Sequence, residues 1–247
     1  MKAPTAVLLV AFLLPLTACG GTDKHDQTLT VLAASSLTGT FEDLAPVFEK
    51  QHPGVTVKLS FDSSATLAQQ AAEGAPADVL ATADEATMQS AVDAGVTAAT
   101  PTQFAENQMV LVVPADNPAG ITSLSDLAGS DFVRCVDTAP CGKVATAVLA
   151  DNGITATPVS EEVDVKSVLA KVVADEADAG LVYETDRVAA GSGVVGFDIP
   201  GAERERTQYY AAPLKQSGDA GLAQAWIDLL SSTEGRQVLG DAGFILP

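Results

Sequence analysis

Basic residues and histidine are scarce in this 247-residue chain, and their scarcity excludes two kinds of partner. Lysine and arginine number 13 against 32 aspartates and glutamates, and the formal net charge is −19. Proteins bind nucleic acids by neutralising phosphates, so such an acidic chain is not expected to bind them. The two histidines, His25 and His52, leave a zinc site almost without ligands. A small anion in a cleft stays compatible with this charge, because local dipoles outweigh distant, screened charges.

Motifs for catalysis are also missing. The sequence contains no Gly-x-Ser-x-Gly elbow, no Walker loop and no paired metal ligands. Adjacent carboxylates such as Glu161 and Glu162 do not face each other on a helix, and we interpret them as solvated. Catalysis needs a base or nucleophile with a partner, so we expect no enzyme and no cofactor.

The first residues of the chain predict an export signal. Lys2 precedes an apolar run at residues 6–16 that is too short to span a bilayer. The run ends in LTAC at residues 16–19, which resembles the lipobox of bacterial lipoproteins, where cleavage precedes a cysteine that receives lipid. We therefore expect a signal peptide at 1–18, a lipid on Cys19 at the outer face of the cell membrane, and a tether at 19–28. The alternative is an ordinary secretory signal with Cys19 incidental, and it also exports the protein.

Two further cysteines remain, Cys135 and Cys141. In an exported protein a short disulfide between them is favoured. Two free thiols, or a metal pair without further ligands, are the alternatives.

From Leu29 onward, strand, turn and helix patterns alternate, as in α/β folds with mainly parallel sheets. Residues 31–34 are small and apolar and predict a buried strand. Phe41, Leu44, Ala45 and Phe48 then share one face of a helix. An apolar content of 47% is enough for a substantial core.

Four turns each lie at the end of a predicted strand, just before a predicted helix: Ser35-Ser36, Ser63-Ser64, Pro140-Cys141-Gly142 and Asp164-Val165. A fifth predicted strand ends in Tyr183. A serine at such a turn is first of all a helix N-cap. The repetition favours a second role, because ligands of open α/β sheets bind beyond the carboxyl ends of the strands. Helix N-termini, hydroxyls and a phenol offer hydrogen-bond donors, which suits an oxyanion.

These segments resemble the periplasmic molybdate-binding proteins of ABC importers, over essentially all of the chain after the tether. The resemblance is carried by residues 31–38 (VLAASSLT), 61–67 (FDSSATL) and 74–78 (GAPAD), and by Asp164-Val165, residues 180–183 (GLVY) and Gly243-Phe244. It implies the two-lobed type II periplasmic-binding-protein fold, in which each lobe is a mainly parallel sheet flanked by helices and the ligand lies between the lobes.

The resemblance also implies the ligand contacts. Hydroxyl and backbone N–H groups would come from Ser36 and Ser64, backbone N–H groups from Cys141 and Val165, and a phenol from Tyr183. They would hold molybdate or tungstate through its oxygens, without direct ligation of the metal. Where the family often has alanine this chain has Cys141, and a bond to Cys135 would hold its side chain away from the ligand.

Chain organisation and partners follow from the same resemblance. The first lobe is expected at residues 29–104 and 210–247, and the second at 105–209, with hinge closure between them. The expected partners are the oxyanion and an ABC permease, and the expected state is a monomer.

Two other ligands remain as alternatives, a sulfate-type oxyanion and ferric iron. Sulfate-type oxyanions would need much the same donors. Tyr209 and Tyr210 are adjacent, like the tyrosines that grip iron in ferric-binding proteins, but we expect them to have packing or hinge roles.

Overall fold

The computed structural model describes residues 27–247. The predicted signal peptide, Cys19 and most of the predicted tether lie outside this range. The first strand begins at Gln27, so the last two residues assigned to the tether belong to the fold.

Helices and strands alternate along the chain. The strands are β1 (Gln27–Ala34), β2 (Val55–Asp62), β3 (Val79–Thr82), β4 (Thr102–Asn107), β5 (Met109–Pro114), β6 (Phe132–Cys135), β7 (Ser160–Glu162), β8 (Ala179–Tyr183), β9 (Val194–Asp198) and β10 (Thr207–Pro213). The helices are α1 (Thr38–Gln51), α2 (Ser64–Ala72), α3 (Glu85–Asp93), α4 (Pro140–Asp151), α5 (Val165–Val173), α6 (Glu184–Ala190), α7 (Ala220–Ser231) and α8 (Thr233–Asp241). No helix within 27–247 is long and apolar enough to cross a membrane.

The first lobe is built on a sheet of strand order β2-β1-β3-β10-β4. Successive side chains of β1 point to opposite faces of this sheet. Val31 belongs to a core with Phe41 of α1 and Trp226 of α7, whereas Leu32 packs in a second core with Leu67 of α2. Burial on both faces explains why residues 31–34 form a continuous apolar run.

The second lobe is built on a sheet of order β7-β6-β8-β5-β9, and α4, α5 and α6 belong to the same lobe. The predicted two-lobed α/β fold is confirmed, but the sheets are mixed where the sequence predicted mainly parallel ones. Within the described residues each sheet has two parallel and two antiparallel pairings. The antiparallel pairings involve β5 and β10, the strands that follow each passage of the chain from one lobe to the other.

The chain crosses between lobes at Gln108 and again before Thr207. Strand β4 pairs with β10 as far as Asn107, opposite Thr207, so the strands of the first lobe extend beyond the expected boundaries at 104 and 210. Residues 102–107 (TQFAEN) are mostly polar, and the strongly apolar run begins only after Gln108. The sequence therefore did not predict β4 as a strand.

The carboxyl ends of the parallel strands converge on the space between the lobes. Strands β1, β2 and β3 run parallel in the first lobe, and β6, β7 and β8 run parallel in the second. The turns that follow these strands open α1, α2, α3, α4, α5 and α6. The fold therefore places several helix N-termini around one cleft.

Candidate functional site

A small pocket lies between the two lobes, and we refer to it as the cavity. The first lobe contributes Ser36 and Ser64 to its wall, and the second contributes Cys141, Val165 and Tyr183. Each of these five residues is at most 5% exposed, so the lobes are closed over the cavity. The structure thus brings all five sequence-predicted ligand residues together. The rest of the wall is formed by Ala34, Ser35, Ser63, Ala83, Pro140 and Asp164.

A larger groove lies on the second lobe alone and contains none of the predicted residues. Leu149, Ile154 and Val159 line it, and its one arginine, Arg134, is paired with carboxylates of the same lobe. The cavity between the lobes is therefore the candidate site.

Three helical segments that begin at the cavity lack side-chain caps. Ala34, Ser63 and Ala139 precede the short 3-10 turn Ser35–Leu37, α2 and α4, and none of them makes a capping hydrogen bond within residues 27–247. By contrast, Asp84 and Asp219 cap α3 and α7. Uncapped first-turn N–H groups and the positive ends of helix dipoles attract an anion.

The side-chain cap of helix α5 does not use the first backbone N–H of the helix. The Asp164 carboxylate accepts from the backbone N–H groups of Lys166 at 2.8 Å and Ser167 at 3.0 Å. Val165, the first residue of the helix, is not among the donors to this carboxylate. Its N–H can therefore serve a ligand in the cavity.

The Ser64 hydroxyl is oriented as a donor. Its oxygen accepts a hydrogen bond from the backbone N–H of Ala83 at 2.9 Å. Because a hydroxyl carries one hydrogen, this bond occupies acceptor capacity and leaves the hydrogen for another group. Ser64 therefore presents a hydrogen to the cavity it lines.

Tyr183 contributes a buried phenol. The side chain is 1% exposed, and its hydroxyl has no hydrogen-bond partner within the described residues. Burial, with a smaller contribution from the neighbouring Tyr209, raises the pKa of Tyr183 well above its usual value. The phenol therefore stays protonated and acts as a donor.

A disulfide fixes the start of α4. Cys135 at the end of β6 is bonded to Cys141, with 5.7 Å between their Cα atoms. The next residue packs tightly as well, because a Cβ on Gly142 would lie 1.9 Å from the carbonyl oxygen of Val136. Together these contacts hold the Cys141 N–H at the cavity and tie up its sulfur.

Removing the disulfide is expected to lower stability without unfolding the protein. The paired change Cys135→Ala and Cys141→Ala should reduce the free energy of unfolding by about 2 kcal/mol, at the low end of the usual range because the closed loop is short. Urea unfolding measures this loss, and intact mass of the exported wild type should be two hydrogens below that of the reduced chain. Equal stability of variant and wild type would contradict the prediction.

An ion pair joins the lobes beside the cavity. The ammonium of Lys143 in α4 lies 2.6 Å from a carboxylate oxygen of Asp84, which also caps α3 of the first lobe. Lys143 is 45% exposed, so solvent screening limits the pair to at most about 1 kcal/mol. It assists closure but cannot dominate it.

Comparison with known proteins identifies the family. A model described as bacterial extracellular solute-binding protein matches residues 29–245. The chain belongs to this family. Solute-binding proteins are binding proteins, so the expectation that the chain is no enzyme is confirmed by membership.

This solute-binding protein is similar to proteins that are named for binding oxyanions. The molybdate-binding protein ModA of Mycobacterium tuberculosis (strain ATCC 25618 / H37Rv) is 37% identical over 235 residues, 94% of this chain and 90% of ModA. The periplasmic molybdate-binding protein of Azotobacter vinelandii has a TM-score of 0.79 at 22% identity, over 89% of this chain and 99% of its own. The sulfate-binding protein SubI of M. tuberculosis H37Rv has a TM-score of 0.77 at 20% identity, over 88% and 86%. The two structural matches show the shared fold.

Sequence reasoning missed one contact behind the solute-binding protein's site. Tyr209 packs in the core of the first lobe, as expected, and its hydroxyl also lies 2.8 Å from the Ser36 hydroxyl. No local pattern signals a contact between residues 173 positions apart. Side chains alternate along a strand, and despite an irregularity in the pairing at this point, Tyr209 and Tyr210 pack in different cores.

That alternation also weighs against iron. Tyr209 lies in the core on one face of the first sheet, and Tyr210 packs on the other face and bonds to Gln208. The two phenols therefore cannot coordinate one metal ion together. Nor do residues 27–247 contain a cluster of three or more His, Cys, Asp or Glu side chains suited to a metal.

Proposed function

We propose that this solute-binding protein captures molybdate, and tungstate with it, and delivers it to the permease of an ABC importer. The observation that carries the proposal is the concentration of hydrogen-bond donors in the cavity wall, where the one carboxylate, that of Asp164, is engaged in capping α5. Uncapped N-termini of both lobes, the Ser64 hydroxyl and the protonated Tyr183 meet at one place. The 37% identity to ModA supports the choice of anion.

In this proposal each residue has a defined role. Ser36 and Ser64 donate from their hydroxyls and backbone N–H groups, Cys141 and Val165 from backbone N–H groups, and Tyr183 from its phenol. The metal atom is held only through its oxygens. Because hydrogen bonds to a charged acceptor are the stronger ones, several such donors can hold a dianion without a counter-charge.

The same chemistry decides against phosphate and leaves sulfate as the second candidate. Phosphate carries a proton near neutral pH and needs an acceptor, whereas the wall offers hydrogens. Sulfate is a bare dianion like molybdate, and the likeness to SubI shows that this fold also serves a sulfate-binding protein. Sulfate is the smaller of the two anions, so the fit of the cavity decides between them.

Calorimetry with four anions tests the proposal. Molybdate and tungstate should bind the exported protein at least about 100-fold more tightly than sulfate, a difference of about 2.7 kcal/mol, and phosphate should bind more weakly than sulfate. Sulfate binding as tight as molybdate binding would favour the sulfate candidate. No binding of any of the four would reject the oxyanion function.

We also propose that the protein is attached to the outer face of the membrane by a lipid on Cys19 and works as a monomer. The LTAC motif at residues 16–19 supports the anchor. The monomer is supported by the cavity itself, since both halves of its wall come from one chain.

A further inference from the structure

Ser36 can meet an anion in two ways, and only one of them helps binding. Its hydroxyl can donate to the ligand, or it can turn and present its lone pairs. The Ser36 oxygen lies 2.8 Å from the hydroxyl of Tyr209, and either group could be the donor in that bond. The direction of this single hydrogen bond therefore decides what Ser36 offers to the cavity.

A neighbouring amide settles the direction. The Asn107 carbonyl oxygen accepts from the backbone N–H of Gln108 at 3.0 Å. A backbone N–H can only donate, so the amide nitrogen of Asn107 must lie on the other side. That nitrogen contacts Thr185 at 2.8 Å and the Tyr209 hydroxyl at 3.4 Å. Tyr209 therefore accepts from Asn107, and within residues 27–247 the one hydrogen-bond acceptor that its own hydrogen meets is the Ser36 oxygen.

The Tyr209 hydroxyl is held firmly in this position. The side chain is 0% exposed, and its ring makes edge contacts with Phe104, Phe244 and Tyr183 at centroid distances of 6.1, 5.1 and 6.4 Å. Burial also raises its pKa, so the phenol keeps its hydrogen. The phenol that donates to Ser36 is thus held in one position and stays protonated.

We propose that Tyr209 is a positioning residue that makes Ser36 a hydrogen donor toward the bound anion. The inference rests on the proposed oxyanion function and deepens it. Tyr209 donates to the Ser36 oxygen, and the Ser36 hydrogen turns toward the cavity. Asn107 also donates to Thr185 of the second lobe, so the group that orients Ser36 is linked to both lobes.

A double-mutant cycle tests the proposal. Tyr209→Phe should weaken molybdate binding about five- to tenfold, the effect of one net hydrogen bond. Ser36→Ala removes the group through which Tyr209 acts, so adding Tyr209→Phe to it should change affinity by less than about twofold. Ser64→Ala is the matched control, because Ser64 is oriented by Ala83; its effect and that of Tyr209→Phe should multiply.

Anion selectivity gives a readout that packing alone would not change. Without Tyr209 the Ser36 hydroxyl can turn and accept, so the ratio of molybdate to phosphate affinity should fall in Tyr209→Phe and stay unchanged in Tyr210→Phe. Independent effects of Tyr209→Phe and Ser36→Ala, or an unchanged ratio, would overturn the role of Tyr209. Failure of the wild type to bind molybdate would instead reject the proposed function; if another oxyanion binds, the cycle is run with that anion.

Discussion

Replacing Val165 with proline is expected to abolish oxyanion binding while α5 stays folded. Proline is favoured at the first position of a helix, where its missing N–H has no intrahelical partner. The preceding residue, Asp164, has φ −150° and ψ 166°, an extended conformation that a following proline accepts. The Asp164 cap is also preserved, because it uses the N–H groups of Lys166 and Ser167.

The loss should be large because the change removes a donor and adds an obstacle. One hydrogen bond to a charged ligand disappears, and the proline ring occupies the place of the N–H. Together these should cost about 3 kcal/mol or more, roughly 150-fold in affinity. Calorimetry with molybdate measures the loss, and circular dichroism checks that the helix persists.

Val165→Ala is the matched control, because it shortens the same buried side chain and keeps the N–H. It should bind molybdate within about threefold of the wild type, while its stability falls as that of the proline variant does. Equal binding by the proline variant and the alanine variant would show that the Val165 N–H is not a ligand.

Tyr183→Phe is expected to change stability and affinity in opposite directions. The hydroxyl is buried without a partner in the described structure, and a buried unsatisfied polar group costs about 1–3 kcal/mol. Its removal should therefore raise the free energy of unfolding of the anion-free protein by about 1 kcal/mol. The same change should weaken molybdate binding by about 1.5–3 kcal/mol, because the anion loses a donor.

Urea unfolding without anion and calorimetry with molybdate separate the two effects. Tyr210→Phe serves as the control, since Tyr210 is bonded to Gln208 outside the cavity, and it should leave affinity unchanged. A Tyr183→Phe variant that loses stability and keeps its affinity would mean that the hydroxyl is satisfied within the protein and does not face the ligand.

What the sequence could predict was local. A serine pair after a buried strand signals a helix start within a few residues, so the turns at Ser36 and Ser64 could be placed without a structure. Their convergence followed from one rule about the carboxyl ends of strands. The structure places these turns around one cavity, while their contacts to a ligand remain predictions.

The features that the sequence did not predict were a long-range contact, a strand with a weak apolar pattern and the direction of some strands. The bond between Ser36 and Tyr209 depends on how two distant strands pair, and no spacing encodes it. Strand β4 (TQFAEN) has few apolar residues, so the strongly apolar run at residues 109–113 was the stronger signal and β4 was not predicted. The mixed sheets were not predicted either, because strand direction is decided by the passage of the chain between lobes and not by the residues of a single strand.

The uncapped starts of α2, α4 and the turn Ser35–Leu37 have a consequence for folding. A side-chain cap stabilises a helix by about 1 kcal/mol, and the protein lacks this contribution at three places around one point. A bound oxyanion would satisfy the same N–H groups and would link helix ends from both halves of the chain. The bound anion would then stabilise the fold for as long as it stays in the cavity. Its release to the permease would require the protein to give up some of its own stability, so unloading would be a partial loosening of the fold as well as the departure of an ion.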